Sequence, residues 1–446
     1  MAYQFWKRHS YCGGKAVTKA VLIIGGGIAG IQASLDLADK GVDVYLVEKE
    51  PSIGGRMAQL DKTFPTLDCS ICILAPKMAE CYNHPNINVL TYSEVKSVEG
   101  EAPEFKVRIL KKARYVIEEK CTGCGDCVEK CPTKIPNDFD EGLGIKKAIY
   151  IPFLQAVPRV MTIDREHCLK ITQGKCGVCA KRCKREAIDY EMKDELVEVD
   201  VGAIIVATGF DTWDPTMSKE YGFKQYPNVY TALEYERLIS AAGPTQGHIN
   251  RRSDGKEPKS IAWIQCVGSR NVSLGQPYCC SVCCTQSTKE AMLCREHVKD
   301  VKPYIFFKDL RTFGKGYYEF KRRAETDYGV TYINSDATVQ PAENGNLFVV
   351  YDIDGRPAKL EVDMVILAVA MIPRKETKEL SKILGIELDK YGFYQPKDLM
   401  FRTLESSRPG ILLAGYCKTP MDIPDSVASA SAAAGKASEV IYKGGA

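Results

Sequence analysis

No apolar run in the 446-residue sequence reaches the roughly 18 residues that a membrane-spanning helix needs. The longest candidates, near Val21 and Met364, read instead as strands buried in a parallel sheet. Charge of one sign is also scarce. Lys and Arg total 60 against 57 Asp and Glu, a net charge of +3, with no long basic block. That excludes the footprint of a nucleic-acid partner. The first 15 residues carry Lys7 and Arg8 but no apolar core, so no secretory leader is expected there. With 45% hydrophobic and 26% charged residues, the chain reads as a soluble globular protein of two or three domains.

Cysteine is the residue in excess. There are 19, most at x2 and x3 spacings. A disulfide scaffold suits a short secreted chain. In a long chain without a leader, such spacings point to metal clusters in a reducing cytoplasm. The expected location is therefore cytoplasmic.

Residues 20–24 form an apolar run that ends in Gly25-x-Gly27-x-x-Gly30, and a helical pattern follows through Ala38. Gly25 allows a tight turn, Gly27 lets backbone approach a pyrophosphate, and Gly30 lets helix pack on strand. The helix N-terminus favours the phosphates. A second strand over 42–47 ends at Glu48, 18 residues after Gly30, where an acid can hold a ribose hydroxyl. The rival reading is a glycine-rich turn without a ligand. Gly54-Gly55-Arg56 lets the chain wrap a cofactor, with Arg56 on a phosphate or merely on the surface. The expected contacts of this half are Gly25, Gly27, Ile28, Ala29, Gly30, Glu48, Lys49, Gly55 and Arg56. Strands are expected over 89–97 and 104–111.

Cys121-x2-Cys124-x2-Cys127-x3-Cys131-Pro132 is a bacterial ferredoxin run. Cys168-x7-Cys176-x2-Cys179-x3-Cys183 begins 37 residues after Cys131, with a widened gap and Lys184 in place of the usual proline. In two-cluster modules the last cysteine of each run serves the other cluster. One [4Fe–4S] cluster is thus assigned to Cys121, Cys124, Cys127 and Cys183, and the other to Cys168, Cys176, Cys179 and Cys131. Zinc on four thiolates is the alternative. The sheet is expected to resume over 198–209 and end in Ala207-Thr208-Gly209, where backbone can approach the cofactor.

A second nucleotide half is expected from Ile261, but its glycine fingerprint is missing. Cys266-Val267-Gly268-Ser269 and Cys279-Cys280-Ser281-Val282-Cys283-Cys284 stand in its place, followed by a helix over 285–297. A third cluster is expected on Cys266, Cys279, Cys283 and Cys284, with buried free cysteines as the alternative. The stretch ending in Gly415 and a helix over 427–443 starting after Asp425 are expected to face the cofactor, with a plain packing helix as the alternative. Cys69-x2-Cys72, with Cys12 and Cys81, is read as a fourth [4Fe–4S] site, the alternative being small buried hydrophobes.

Together, Gly25 to Gly30, the stretch 54–62, the ferredoxin insert, Cys266-Val267-Gly268-Ser269-Arg270 and Met421-Asp422-Ile423-Pro424-Asp425 resemble the A subunit of heterodisulfide reductases, over about residues 18–443. The flavin subunits of quinone-interacting oxidoreductases and of benzoyl-CoA reductase complexes are similar. The resemblance implies an α/β, thioredoxin-reductase-like flavoprotein with two dinucleotide domains and an inserted two-cluster ferredoxin domain. It implies FAD, transfer of electron pairs split to one-electron paths or bifurcated, and the same third-cluster cysteines. It places Lys289 near the flavin ring, where a cation stabilises the reduced form; a surface lysine is the alternative. It implies partners resembling the B and C subunits of heterodisulfide reductase, a hydrogenase- or dehydrogenase-linked donor, and room for a homodimer in an anaerobic complex. Long family members carry an additional N-terminal domain and a C-terminal ferredoxin domain, so the low-potential exit is expected to be missing or to lie on another subunit.

The expected division is 1–17 extension, 18–114 and 193–257 flavin domain, 115–192 ferredoxin insert, 258–375 degenerate nucleotide domain, and 376–446 C-terminal flavin part. The rival functions are an NAD(P)H oxidoreductase, disfavoured by the missing glycines, and a docking subunit with a passive flavin.

Overall fold

The structure, a computed structural model, describes residues 19–443. Strand β1 (Ala20–Ile24) is a five-residue aliphatic run, buried along its length. Helix α1 (Ile28–Ala38) crosses to β2 (Asp43–Val47), which pairs in parallel with β1. Helix α2 (Ser70–Asn83) leads to β3 (Ile87–Leu90). Strands Ala203–Val206 and Ile411–Leu413 complete a five-stranded parallel sheet with β1 between Ala203–Val206 and β2. A parallel sheet needs both faces covered. On one face α1, α2 and the C-terminal helix Ile423–Lys443 bury Ile31, Leu35, Leu74, Met78 and a row of alanines. On the other, Leu22 and Ile24 meet Val107, Ile109 and Tyr394.

Strands β4 (Ser93–Glu101) and β5 (Glu104–Lys111) form a hairpin, and Glu195–Val201 pairs antiparallel with β5. Lys111 lies opposite Glu195. The ferredoxin-like stretch therefore leaves and re-enters the sheet at a single point, so it interrupts no strand. It has short helices α3 (Asp126–Glu129), α4 (Leu169–Gln173) and α5 (Val178–Arg182) around its own core of Val116, Ile149, Met161 and Ile163. Arg114 pins its root. That buried guanidinium donates from Nη1 to Thr162 Oγ1 at 2.9 Å and from Nη2 to the Pro51 carbonyl at 2.9 Å, and also bonds Thr91.

Strand Val229–Thr231 runs into helix α6 (Ala232–Ile239), whose start is fixed by a capping box between Thr231 and Glu234. A second parallel sheet repeats the first, in the order Val229–Thr231, Met364–Val369, Ser260–Val267, Lys302–Phe307, Thr331–Asn334. Helix α7 (Cys283–His297) occupies the place of α1. A three-stranded antiparallel sheet from Ala337 to Val362 flanks it, as β4 and β5 flank the first.

Three expected boundaries shift. The strand over 89–97 breaks into β3 and β4 at Tyr92, which takes a left-handed φ of 55°. The strand over 198–209 divides at Gly202, whose N–H turns to the Ala20 carbonyl, so its halves serve different sheets. The last helix starts at Ile423 and takes in Pro424, whose missing N–H costs nothing in a first turn. Among the described residues no helix is long and apolar enough to cross a membrane.

Candidate functional site

The β1–α1 turn borders a cavity of about 570 Å³ lined by Gly25, Gly27, Ile28, Ala29, Glu48, Gly55 and Arg56, with Ala207, Thr208 and Gly209. Gly25 has φ 110°, and a Cβ there would meet the Ala207 carbonyl oxygen at 2.4 Å. At Gly30 a Cβ would meet the Gly25 carbonyl oxygen at 1.8 Å, so Gly30 serves helix packing and does not line the cavity. At Gly27 a Cβ would meet nothing within 4 Å. Its open side is a cradle that a side chain would fill. No side chain caps α1, so its first N–H groups stay available to an anion. Glu48 accepts from Gly26 N–H at 2.6 Å and Glu50 N–H at 2.9 Å. Burial pushes its carboxyl above the usual range, and those N–H groups pull it back. Open glycine backbone, a free helix end and a buried acid fit a dinucleotide such as FAD.

Several expected contacts need correction. Lys49 turns away from the cavity and reaches Glu376 at 2.5 Å, because side chains alternate along an extended chain. Arg56 is not among these: it lines the cavity, where Glu141 at 3.1 Å and Asp211 at 3.6 Å pair with it. Asp425 is exposed in the first turn of the last helix. Its N–H bonds Asp422 Oδ1 at 2.9 Å, and Asp422 faces the cavity in its place. Gly415 stands behind the wall formed by its neighbours Ala414 and Tyr416.

The far walls carry no motif in the sequence. The ferredoxin-like insert supplies Phe139, Glu141, Tyr150 and Phe153, with the two phenylalanine rings stacked at 4.8 Å. Arg237 of α6, also buried, ties that wall down by an ion pair to Asp140 at 3.0 Å and a bond to the Gln59 carbonyl. The second half supplies Glu236, Val282, Gln286 and Met371. Lys289 is wholly buried behind Glu236, its Nζ 2.7 Å from Glu236 Oε1 and 2.8 Å from the Lys62 carbonyl. It does not line the cavity itself. The alternative of a surface lysine is excluded. The capping signal Thr231-x-x-Glu234 is the one clue that a helix brings Glu236 here.

Within the insert, Cys131, Cys168, Cys176 and Cys179 line one small cavity with Tyr190, whose hydroxyl lies 2.9 Å from Cys179 Sγ. Cys131 thus stands with the second run rather than its own. Cys127 lies on α3 with Cys121 and Cys124 nearby, and α3 packs on α5, which Cys183 caps.

In the second half, the thiols of Cys266, Cys280 and Cys284 lie beside that of Cys283 at the head of α7. The bond from Cys283 outweighs burial at Cys266 and, with Arg270, holds its thiol down to about 6. Cys279 sits at the rim, accepting from Ser281 N–H, near Arg311. Cys280, outside the expected ligand set, is buried and accepts from Met371 N–H. Cys266, Arg270 and Ser281 all have φ between 52° and 63°, and non-glycine strain of this kind gathers at functional sites. Val282 and Met371, which contact or precede these thiols, line the central cavity. Among the described residues no three of His, Cys, Asp and Glu converge on a single ion position.

The fourth cysteine set does not assemble as expected. Cys12 lies outside the described residues. Cys69 and Cys72 are joined to each other by a disulfide. Cys81 is on the same helix nine residues beyond Cys72, which at about 1.5 Å per residue separates them by roughly 13 Å. It is also fully buried against α1, and burial pushes its thiol up to about 12. A thiol so placed is a core residue, not a ligand beside Cys69.

Known proteins agree with this architecture. The chain is 49% identical over 432 residues to the iron-sulfur A subunit of the CoB–CoM heterodisulfide reductase of Methanocaldococcus jannaschii, covering 96% of this chain and 65% of that protein. It is 51% identical over 432 residues to the second of two numbered iron-sulfur A subunits of CoB–CoM heterodisulfide reductase in Methanopyrus kandleri, with the same coverage. It thus spans just under two thirds of the length of these relatives. Thioredoxin reductase of Lactococcus lactis shares the fold at a TM-score of 0.53, with 13% identity over 95% of this chain and 99% of that one. The two-domain, thioredoxin-reductase-like α/β fold expected from the sequence is the one found. The model of the pyridine nucleotide-disulphide oxidoreductase family matches residues 19–241, half of the sequence, and the chain belongs to that family.

Proposed function

We propose that the chain is the FAD and iron–sulfur electron-transfer subunit of a heterodisulfide-reductase-like complex. The observation that carries this reading is the shared cavity. Its near wall is the glycine turn with Glu48, one far wall belongs to the ferredoxin-like insert, and another borders the Cys283 thiol group. Gly25, Gly27, Glu48 and the head of α1 would hold the dinucleotide, and the bound flavin would supply two-electron to one-electron conversion. Cys121, Cys124, Cys127 and Cys183 would hold one cluster of the insert, and Cys131, Cys168, Cys176 and Cys179 the other. Cys266, Cys279, Cys283 and Cys284 would hold a third, with Cys280 anchored beside them by Met371.

The chain's own residues then have separable tasks. Phe139, Phe153 and Tyr416 keep water from the cavity, the Lys289–Glu236 pair sets the charge at its inner end, and Arg114 fixes the insert against the wall. Partners resembling the B and C subunits, and a hydrogenase- or dehydrogenase-linked donor, complete the path. Bifurcation of the electron pair is the finer form of this proposal.

Anaerobically purified protein is expected to carry flavin and to show paramagnetic cluster signals on reduction. In Cys131→Ala the cluster of Cys168, Cys176 and Cys179 is expected to be lost while that of Cys121, Cys124 and Cys127 persists. Loss of the Cys121 cluster instead would overturn the ligand assignment, and protein without flavin would overturn the function.

A further inference from the structure

Glu290 follows Lys289 on α7, and like Glu236 and Lys289 it has no exposed surface. Its Oε2 accepts from the Trp263 indole N–H at 2.8 Å. Its Oε1 accepts from the Gln286 amide at 2.8 Å, and the same amide nitrogen donates to Glu236 Oε1 at 2.7 Å. One amide thus gathers two carboxyl groups, and they lie within hydrogen-bonding reach of each other. Only one of them, Glu236, lines the cavity.

The charges around the pair do not balance if both carboxyls are ionised. Helix α7 offers Lys289, with Cys294 a turn further on, and α6 offers Glu236 and Tyr235. Strand Ser260–Val267 offers only the neutral Trp263. The loop before α2 adds Asp61, whose N–H is 2.9 Å from Glu236 Oε2, and Lys62, whose ammonium pairs with Glu296. The Asp61 carboxyl, itself pushed up by burial and by Glu236, adds no positive charge, and His297 acts on Asp61. One buried ammonium therefore faces two buried carboxyls. An uncompensated charge in such a place is costly enough that the group takes up a proton instead. Of the two, Glu236 has the ammonium at 2.7 Å and the Asp61 N–H, whereas Glu290 has neutral donors alone. Burial, then the neighbouring Glu236, both push the Glu290 carboxyl well above the glutamate range.

We propose that Glu290 is a proton store that refills Glu236 on the cavity wall. The proton leaves the Glu290 hydroxyl for Glu236, and Glu236 delivers a proton to the group reduced in the cavity. Trp263 and Gln286 N–H groups then hold the Glu290 carboxylate until solvent returns a proton. The electrons come from the donor of the complex, and the proton offsets the charge they bring. This role rests on the flavin reading of the cavity.

The test is infrared spectroscopy of the full chain with its cofactors, purified anaerobically at neutral pH. An un-ionised carboxylic acid gives a carbonyl band that a carboxylate lacks. The wild-type spectrum should contain such a band that is missing from Glu290→Gln, and reduction should shift or remove that band in the wild type. Glu290→Gln keeps an acceptor for Trp263, so a cooperative melt no lower than that of wild type is expected and the loss of the band can be assigned. A carboxylic-acid region unchanged by Glu290→Gln, or a Glu290-dependent band that reduction leaves unmoved, would each overturn the proposal. Visible absorbance read on the same sample reports the flavin separately, so failure of the cavity reading is not mistaken for failure of the proton store.

Discussion

At the level of single residues, the glycines of the first turn separate binding from folding. A methyl group on Gly30 has nowhere to go, since the Gly25 carbonyl would lie 1.8 Å away on rigid backbone. Overpacking of this kind costs roughly 1–3 kcal/mol or more. Gly30→Ala should therefore lower the melting temperature of the protein. Gly27 has φ −75° and empty space beyond it, so Gly27→Ala should fold normally and yet lose most of its flavin. Calorimetry and flavin content measured on both variants check the pair of outcomes. These roles are legible in the sequence, because spacing within a turn is local. Glu290 is not legible. Its environment comes from Trp263 and Glu236, distant in the chain, and no periodic pattern marks a buried acid. It carries its own signature in pH. A glutamate that keeps its proton when folded but loses it when unfolded makes stability fall as pH rises above the ordinary glutamate range. Glu290→Gln removes that term. The variant should gain in melting temperature over wild type as pH rises from about 4 to about 8, with little difference at the acid end, which thermal scans across that range would show.

At the level of elements, apolar runs predict strands well where they lie inside one sheet, as in β1 and Ser260–Val267. They fail where one run feeds two sheets. Nothing in the apolar pattern around Gly202 tells that Val201 belongs with β5 and Ala203 with β1. The insert presents the same difficulty at larger size. Its cysteine spacing announces two clusters, but its role as a wall of the central cavity depends on Arg114 and Arg237, single basic residues without a motif. Arg114 spans four groups, Pro51, Thr91, Thr162 and Glu118, with a planar fork that lysine cannot reproduce. Arg114→Lys leaves Thr162 or the Pro51 carbonyl without a donor. A buried polar group left in that state costs about 1–3 kcal/mol. The expected result is a lower denaturant midpoint, with protease cutting appearing at the root of the insert before the sheets unfold. Cleavage elsewhere first would show that Arg114 is not what holds the insert.

For the molecule as a whole, the two halves share one topology and differ in what stands at the turn after the first strand. In the first half it is Gly25 to Gly30. In the second it is Cys266-Val267-Gly268-Ser269, with Cys266 at φ 60° and Trp213 so close that a Cβ on Gly268 would meet its ring at 2.6 Å. A pyrophosphate needs backbone without side chains and an open helix end. Here the helix end is occupied by Cys283 and Cys284, and the turn by Cys266 and the indole. The second half carries thiols at the turn where the first half carries open glycine backbone. Mixing the anaerobic protein with NADH or NADPH should therefore leave the flavin absorbance unchanged on the scale of seconds, while a low-potential one-electron reductant bleaches it. The thiols would have to be bypassed for any other outcome. Rapid, stoichiometric bleaching by NADH in the isolated chain would mean that a nucleotide reaches the flavin by a route other than this turn, and would favour a pyridine-nucleotide oxidoreductase over an electron-transfer subunit.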